Sequence, residues 1–294
     1  MTEPLPILDP HAASGEEAVP DTARNKLRQL RETLRPLVRD GALVAFSGGM
    51  DSAFLLWAAR EAGGRDGTGR TVALTTTSPS TPARDKEDAE AFTRDLGIPH
   101  VWRESRELTL PAYVRNDRER CYHCKAELFR IAGELAREEG LKWLLYGYNA
   151  SDRGDIRPGH RAAGEAGALS PLADVGLTKA EIRFLMEEAG LSLAAKPASP
   201  CLSSRIMTGI QVTPERLEDV EAMEGILREA GISQLRVRVC REEGGALFLR
   251  VEVAPEELEK VLECRRELHV TGRARGYRWV TLDLGGYRTG GGVS

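Results

Sequence analysis

Apolar positions along the chain follow two different spacings. Residues 22–38 place Leu27, Leu30, Leu34 and Leu37 three or four apart, which marks one face of a helix. Ala42-Leu43-Val44-Ala45-Phe46 follows as an unbroken apolar run, the pattern of a buried strand. Residues 72–75, 98–102 and 143–146 repeat that strand pattern. Between them, 83–96 and 126–139 carry helical spacing, the second with Leu128, Ile131, Leu135 and Ala136 inward. Gly97 and Gly140 stop these two helices. Strands alternating with helices predict an α/β fold whose parallel sheet is covered on both faces. Residues 178–189 predict another helix, capped by Thr178 with Glu181 three positions on. The stretches 149–170 and 196–205 lack periodicity and are expected to be functional loops.

From about residue 207 the pattern changes. Thr213 caps a helix expected to reach Ala230. Residues 234–240 alternate, with Leu235, Val237 and Val239 on one face, and 246–253 alternate as well. A helix over 255–268 and a strand over 278–284 complete the order α-β-β-α-β, a small α+β domain. The chain is thus expected to divide into a disordered tail (1–20), a parallel-sheet domain (21–206) and a smaller C-terminal domain (207–290). The Gly-rich end, 289–294, reads as a second disordered tail.

Composition narrows the function classes. The chain has 294 residues, 41% of them hydrophobic, enough for one large or two ordinary cores. A formal net charge of −4 gives no global basic character, so nucleic acid is not the expected partner. No apolar run approaches membrane-spanning length. Glu3, Asp9, Glu16 and Glu17 replace the basic start of a secretion signal, and a cytoplasmic location is expected. Five cysteines are an odd number, which points to metal, redox or sulfur chemistry rather than a disulfide framework.

The strongest chemical signal is Ser47-Gly48-Gly49-Met50-Asp51-Ser52, between the first apolar run and the apolar stretch 53–57. A buried strand feeds a small-residue turn that opens a helix. Two glycines allow close approach of the backbone to a ligand, and the helix start adds unpaired N–H groups and a positive dipole end. This is a phosphate cradle. It is neither the Walker loop, which needs a Gly-Lys-Ser/Thr ending, nor the dinucleotide fingerprint, which needs a third glycine. The competing structural reading is an ordinary glycine-rich turn.

Three further groups carry candidate chemistry. Cys121 and Cys124 are two residues apart and can converge on one metal or cluster, with Arg118, Arg120 and Lys125 expected to favour thiolate. There is no second cysteine pair to complete a four-cysteine zinc site. Cys201 lies between Pro200 and Ser203-Ser204-Arg205, where Arg205 can hold an anion or lower the thiol pKa. Arg236 and Arg238 alternate along a strand and share a face, with Cys240 beyond them. Such a pair suits a phosphate or carboxylates, but spacing alone favours an ordinary solvent-facing side. Asp51, Asp152 and Asp155 are candidate magnesium ligands, Asp51 foremost because it sits in the loop. Cys264, on an amphipathic stretch, reads as incidental.

The loop 47–52 resembles the PP-loop of the ATP pyrophosphatases, which implies an adenine nucleotide α-hydrolase-like sheet and cleavage of ATP between its α and β phosphates. Four more segments extend the resemblance: 116–125 around Cys121 and Cys124, 147–159, 196–205 around Cys201, and 282–288. Together they resemble the LarE family over roughly residues 22–290. Its members are ATP-dependent sulfurtransferases that mature a nickel-pincer nucleotide cofactor. The resemblance implies adenylation of a carboxylate of pyridinium-3,5-biscarboxylic acid mononucleotide, then displacement of AMP by sulfur, twice over. It assigns Ser47, Gly48, Gly49, Asp51 and Ser52 to ATP and Mg2+, and Arg236 and Arg238 to the substrate phosphate. Cys201 takes the sulfur-handling position, beside Arg205.

Within that family the sulfur comes either from sacrifice of this cysteine or from a 4Fe–4S cluster on three cysteines. The presence of all three implies a cluster on Cys121, Cys124 and Cys201, supplied by sulfide or another sulfur donor, in a homo-oligomeric enzyme. PP-loop enzymes of tRNA thiolation are the alternative, because they also pair a CxxC with a distant cysteine, but they need an RNA-binding face. Synthetase relatives would not need the three cysteines. A non-enzymatic nucleotide sensor or zinc scaffold would use the CxxC alone.

Overall fold

The structure is a computed structural model describing residues 19–64, 69–153, 158–196 and 200–287. Most of the expected N-terminal tail and the Gly-rich end lie outside these residues, and α1 (Val19–Arg39) begins inside the expected tail, three residues before the helix read from sequence.

A four-stranded parallel sheet has the order β3-β2-β1-β4, with β1 (Ala42–Ala45), β2 (Thr71–Thr77), β3 (His100–Glu104) and β4 (Trp143–Tyr146). The central strand β1 is wholly buried, as its unbroken apolar run requires. On one face α1, α2 (Met50–Ala62), α3 (Ala83–Leu96) and α8 (Lys179–Glu188) pack a core through Leu30, Leu34, Phe54, Phe92 and Ile182. On the other, α5 (Arg120–Glu138) sets Ile131, Ala132 and Leu135 against Leu43, Val72 and Leu74. The chain runs outward from β1 through β2 to β3 and then returns to the far side of β1 as β4. Loops at the C-terminal ends of β1 and β4 therefore diverge around a crevice, the usual ligand position in such sheets.

Two caps follow their sequence signals. Thr178 and Glu181 form a reciprocal capping box at the start of α8. The Thr213 side chain accepts from Arg216 N–H at the start of α9 (Pro214–Glu229). The expected loop 149–170 is corrected in part. It contains a 3-10 turn at Ala150–Asp152 and α6 (Pro158–Glu165), and its last residue, Ser170, is the N-cap of α7 (Pro171–Asp174). A Cβ on Gly159 would lie 2.9 Å from the Lys125 side chain, so this glycine lets α6 lie close against α5.

The second core surrounds β5 (Leu235–Arg241), β6 (Leu247–Val253) and β7 (Val280–Leu282), with β5 and β6 antiparallel and β6 and β7 parallel. The helix expected over 255–268 is instead a 3-10 turn followed by α10 (Leu258–Glu263) and α11 (Arg265–Ala274), broken at Cys264. Tyr113, of the short helix α4 (Pro111–Val114), and Leu202, Ile206 and Ile210 also belong to this core. The segment around Cys201 is thereby packed into the C-terminal layer. No described helix is long and apolar enough to cross a membrane.

Candidate active site

The segment 47–52 is a glycine-containing turn that leads from β1 into α2. Gly48 has φ +70°, a conformation glycine adopts freely, and a Cβ there would lie 3.1 Å from Asp85 O and 3.4 Å from Ala89 Cβ. Gly49 is the N-cap of α2 and offers no side chain, so the first-turn N–H groups are left for a ligand. Ser52, buried, donates its hydroxyl to Gly49 O at 2.9 Å and accepts from Ser47 N–H at 3.3 Å, which closes the turn. Behind the loop, a Cβ on Gly147 would sit 2.7 Å from Ser52 N, so only glycine lets the end of β4 press against the start of α2.

Of the candidate magnesium acids, Asp51 stays in the first turn of α2. Asp152 is buried, closes the cap of the 150–152 turn and meets Lys179 Nζ at 3.2 Å. Asp155 lies outside the described residues.

Cys201 precedes a 3-10 turn at Leu202–Arg205. Leu202 N–H donates to Ser80 O at 2.8 Å, in the loop after β2, so the cysteine is held at the C-terminal edge of the parallel sheet. Arg205 is buried, pairs with the fully buried Glu224 at 2.9 Å and donates to the carbonyls of Pro200 and Cys201. It therefore fixes the cysteine's backbone through its carbonyls. The cation whose charge acts on the Cys201 thiol is Arg120. Arg120 donates to Ser203 O and to Asn116 Oδ1, both at 2.7 Å, and stands 4.0 Å from Cys121 Sγ.

Asn116 has φ +56° and donates to the carbonyls of Ile206, Met207 and Ile210, which ties the chain before α5 to the segment after Cys201. These clamps were not legible as such, although the run 116–125 that contains them was.

The charge of Cys121 acts on the Cys201 thiol, and that of Cys201 on Cys124. Cys121 and Cys124 stand one helical turn apart at the start of α5. Solvent reaches Cys201, yet burial among surrounding protein atoms raises its pKa despite Arg120. Cys124 packs against the second core, and burial followed by the Glu107 carboxylate pushes its thiol well up. The expectation that neighbouring cations favour thiolate does not hold for these two, because desolvation outweighs the cations. Among the described residues no three His, Cys, Asp or Glu side chains form a preformed metal site.

Glu107 was not legible as a site residue. It is buried and accepts at one oxygen from Ser78 (2.7 Å), Ser80 (2.5 Å) and Tyr113 (3.1 Å). Tyr113 also meets the Ser203 hydroxyl at 2.6 Å. The sequence signal for this hub is the pair Ser78 and Ser80 in the loop just after β2.

Arg236 and Arg238 are both buried, which corrects the solvent-facing reading of their spacing. Arg238 donates to Glu252 at 2.7 Å and to Ser204 O at 3.2 Å, and its second terminal nitrogen is buried without a hydrogen bond. Glu224 joins Arg205 and Arg228 and accepts from Val237 N–H at 3.3 Å. Arg238 and the turn that follows Cys201 are thus joined through Ser204. The turn that follows Cys201 is thereby tied both to the loop after β2 and to the buried Arg238.

No family model matches the chain. It is 38% identical over 268 residues to an uncharacterized protein of Synechocystis sp., covering 90% of this chain and 96% of that one. It is 28% identical over 176 residues to an uncharacterized protein of Methanocaldococcus jannaschii, covering 60% and 67%. It is 30% identical over 270 residues to the pyridinium-3,5-bisthiocarboxylic acid mononucleotide synthase of Lactiplantibacillus plantarum, covering 92% of this chain and 94% of the synthase. With a match that runs nearly end to end on both chains, this chain belongs to the LarE family, the family of that synthase.

Proposed function

We propose that this protein is an ATP-dependent sulfurtransferase. It converts pyridinium-3,5-biscarboxylic acid mononucleotide to its bis-thiocarboxylic form, the product named for its L. plantarum relative. The observation that carries the reading is the hydrogen bond from Leu202 N–H to Ser80 O. It holds Cys201 at the sheet edge where the phosphate loop ends β1.

In this reading Ser47, Gly48, Gly49 and Ser52 receive the leaving pyrophosphate, the backbone N–H groups at the start of α2 facing its charge. Asp51 would supply a carboxylate for a magnesium ion, which would offset the charge of the phosphates. A substrate carboxylate oxygen attacks the α-phosphorus and pyrophosphate leaves. Sulfur then attacks the acyl carbon and AMP leaves. Arg236 and Arg238 hold the phosphate of the mononucleotide, and Arg205 positions Cys201.

Two sources of sulfur fit the residues. In the sacrificial route the Cys201 sulfur forms the new C–S bond. Loss of the Cα proton then breaks Cβ–S, leaving dehydroalanine and a thiocarboxylate. In the catalytic route Cys121, Cys124 and Cys201 would hold a 4Fe–4S cluster through three thiolates, and the cluster would supply an iron able to take up sulfide. We favour the cluster because the chain carries all three cysteines that it needs, Cys121, Cys124 and Cys201, and with it a sulfur donor and a cytoplasmic, homo-oligomeric enzyme.

The test is intact mass before and after anaerobic turnover with ATP, magnesium and the biscarboxylate mononucleotide. Thiocarboxylate product with an unchanged polypeptide supports the cluster route. A loss of about 34 Da at Cys201, one hydrogen sulfide, supports sacrifice. Absence of any thiocarboxylate overturns the function.

A further inference from the structure

Arg236 is the one arginine of the buried cationic site with no carboxylate partner. Arg205 has Glu224 and Arg238 has Glu252. Glu252 does keep one oxygen without a hydrogen bond, so the cluster is not uniformly short of anions. Arg236 is 6% exposed, and among the described residues it makes no hydrogen bond and no ion pair. Its close partner is the ring of Tyr287, 4.9 Å from the guanidinium carbon. Burial lowers its pKa, and the charges of Arg205 and Arg238 push the same way. A guanidinium kept at that cost, beside the orphaned nitrogen of Arg238, is built to meet an anion.

Tyr287 is well placed to hold it. The residue follows β7, and its N–H donates to Val253 O at 2.8 Å, so the ring is carried on a backbone fixed to β6. An aromatic face attracts a guanidinium without using any of its five N–H donors. A carboxylate in the same place would neutralise the arginine and occupy two of them.

We propose that Tyr287 is the positioning residue for Arg236. It stacks the guanidinium and leaves its N–H fork uncommitted until the phosphate of the mononucleotide arrives. This rests on the reading that Arg236 and Arg238 take that phosphate. Tyr287 then sets the enzyme's discrimination between a mononucleotide and the corresponding nucleoside, while the ATP loop in the other layer is left alone.

The experiment compares wild type, Tyr287→Phe, Tyr287→Leu and Arg236→Met by ATP-dependent pyrophosphate release, with the biscarboxylate mononucleotide and with its dephosphorylated nucleoside. Tyr287→Phe keeps the ring and should stay within about twofold of wild type. Tyr287→Leu should raise KM for the mononucleotide about 5- to 30-fold, the loss of a desolvated cation–π contact, with kcat and the KM for ATP nearly unchanged. Its kcat/KM for the nucleoside should equal that of wild type. An equal loss on both substrates would mean a merely structural role and overturn the proposal, as would a Leu variant that behaves like wild type. A wild-type enzyme that uses nucleoside and mononucleotide equally well would instead overturn the phosphate assignment beneath it, and Arg236→Met would then change neither.

Discussion

Glu224 allows a sharp test of how burial decides the worth of an ion pair. Its carboxylate is fully buried and shared by two arginines of unequal exposure. The Arg205 side chain is 5% exposed and donates at 2.9 Å, whereas that of Arg228 is 36% exposed and meets the other oxygen at 2.6 Å. Val237 N–H leans on the same carboxylate at 3.3 Å. Glu224→Ala leaves Arg205 charged, buried and without an anion, and strands a backbone donor. Removing one partner of a buried pair costs about 3–5 kcal/mol. Arg228→Ala removes only a half-solvated pair one helical turn away, worth about 0.3–0.5 kcal/mol. Urea unfolding at neutral pH separates the two. With a slope of about 3 kcal/mol per molar, Glu224→Ala should lower the midpoint by about 1–1.7 M and Arg228→Ala by less than about 0.2 M. Equal shifts for the two variants, or a Glu224→Ala midpoint within about 0.3 M of wild type, would refute the burial argument.

Gly147→Ala puts a Cβ 2.7 Å from Ser52 N and should cost about 1–3 kcal/mol of stability while raising KM for ATP. Gly133→Ala, inside α5 with nothing within 4 Å, should instead stabilise by about 0.5–1 kcal/mol, both read by the same urea unfolding. Glu257 is nearly buried, which raises its pKa, but hydrogen bonds from Ser233 N–H, Gln234 N–H and the Ser233 hydroxyl outweigh this and hold it below the usual glutamate value. A depressed folded pKa stabilises above the unfolded value and is lost as pH falls through the folded one. Glu257→Gln should therefore be less stable than wild type at pH 7 and equal to it near pH 2; a deficit that persists in acid would count against this. Cys201→Ser should still release pyrophosphate with the biscarboxylate mononucleotide yet form no thiocarboxylate, read by mass spectrometry of the product.

The regular elements were largely legible because their signals are local. The unbroken run at 42–46, the cap at Thr178 and the cap at Thr213 each act within a few residues, and each stands where its pattern placed it. The helix α6 was not, since Gly159 and Gly164 weaken its intrinsic propensity, and close packing on α5 supports it. The break at Cys264 was hidden for a related reason: apolar spacing continues through it, while its thiol turns back on the carbonyls of Lys260 and Val261. Alternation correctly put Arg236 and Arg238 on one face but could not say that the face is buried. Their partners, Glu252, Ser204 and Tyr287, come from three other parts of the chain. The loop at 47–52 was readable because its chemistry is mostly backbone, and glycine announces itself. The hub at Glu107 is side-chain chemistry gathered from distant segments.

The segment carrying Cys201 is sewn to both layers. Before its turn it is fastened to the loop after β2 through Ser80 O, and after it Met207 N–H donates to Val239 O of β5. A seam of this kind transmits load. If the two layers were to swing apart during turnover, the displacement would fall on this stretch of backbone and drag the thiol with it. The architecture thus favours a cycle run by small local shifts over one run by hinged opening. It also implies that neither layer, expressed alone, would retain a properly seated cysteine.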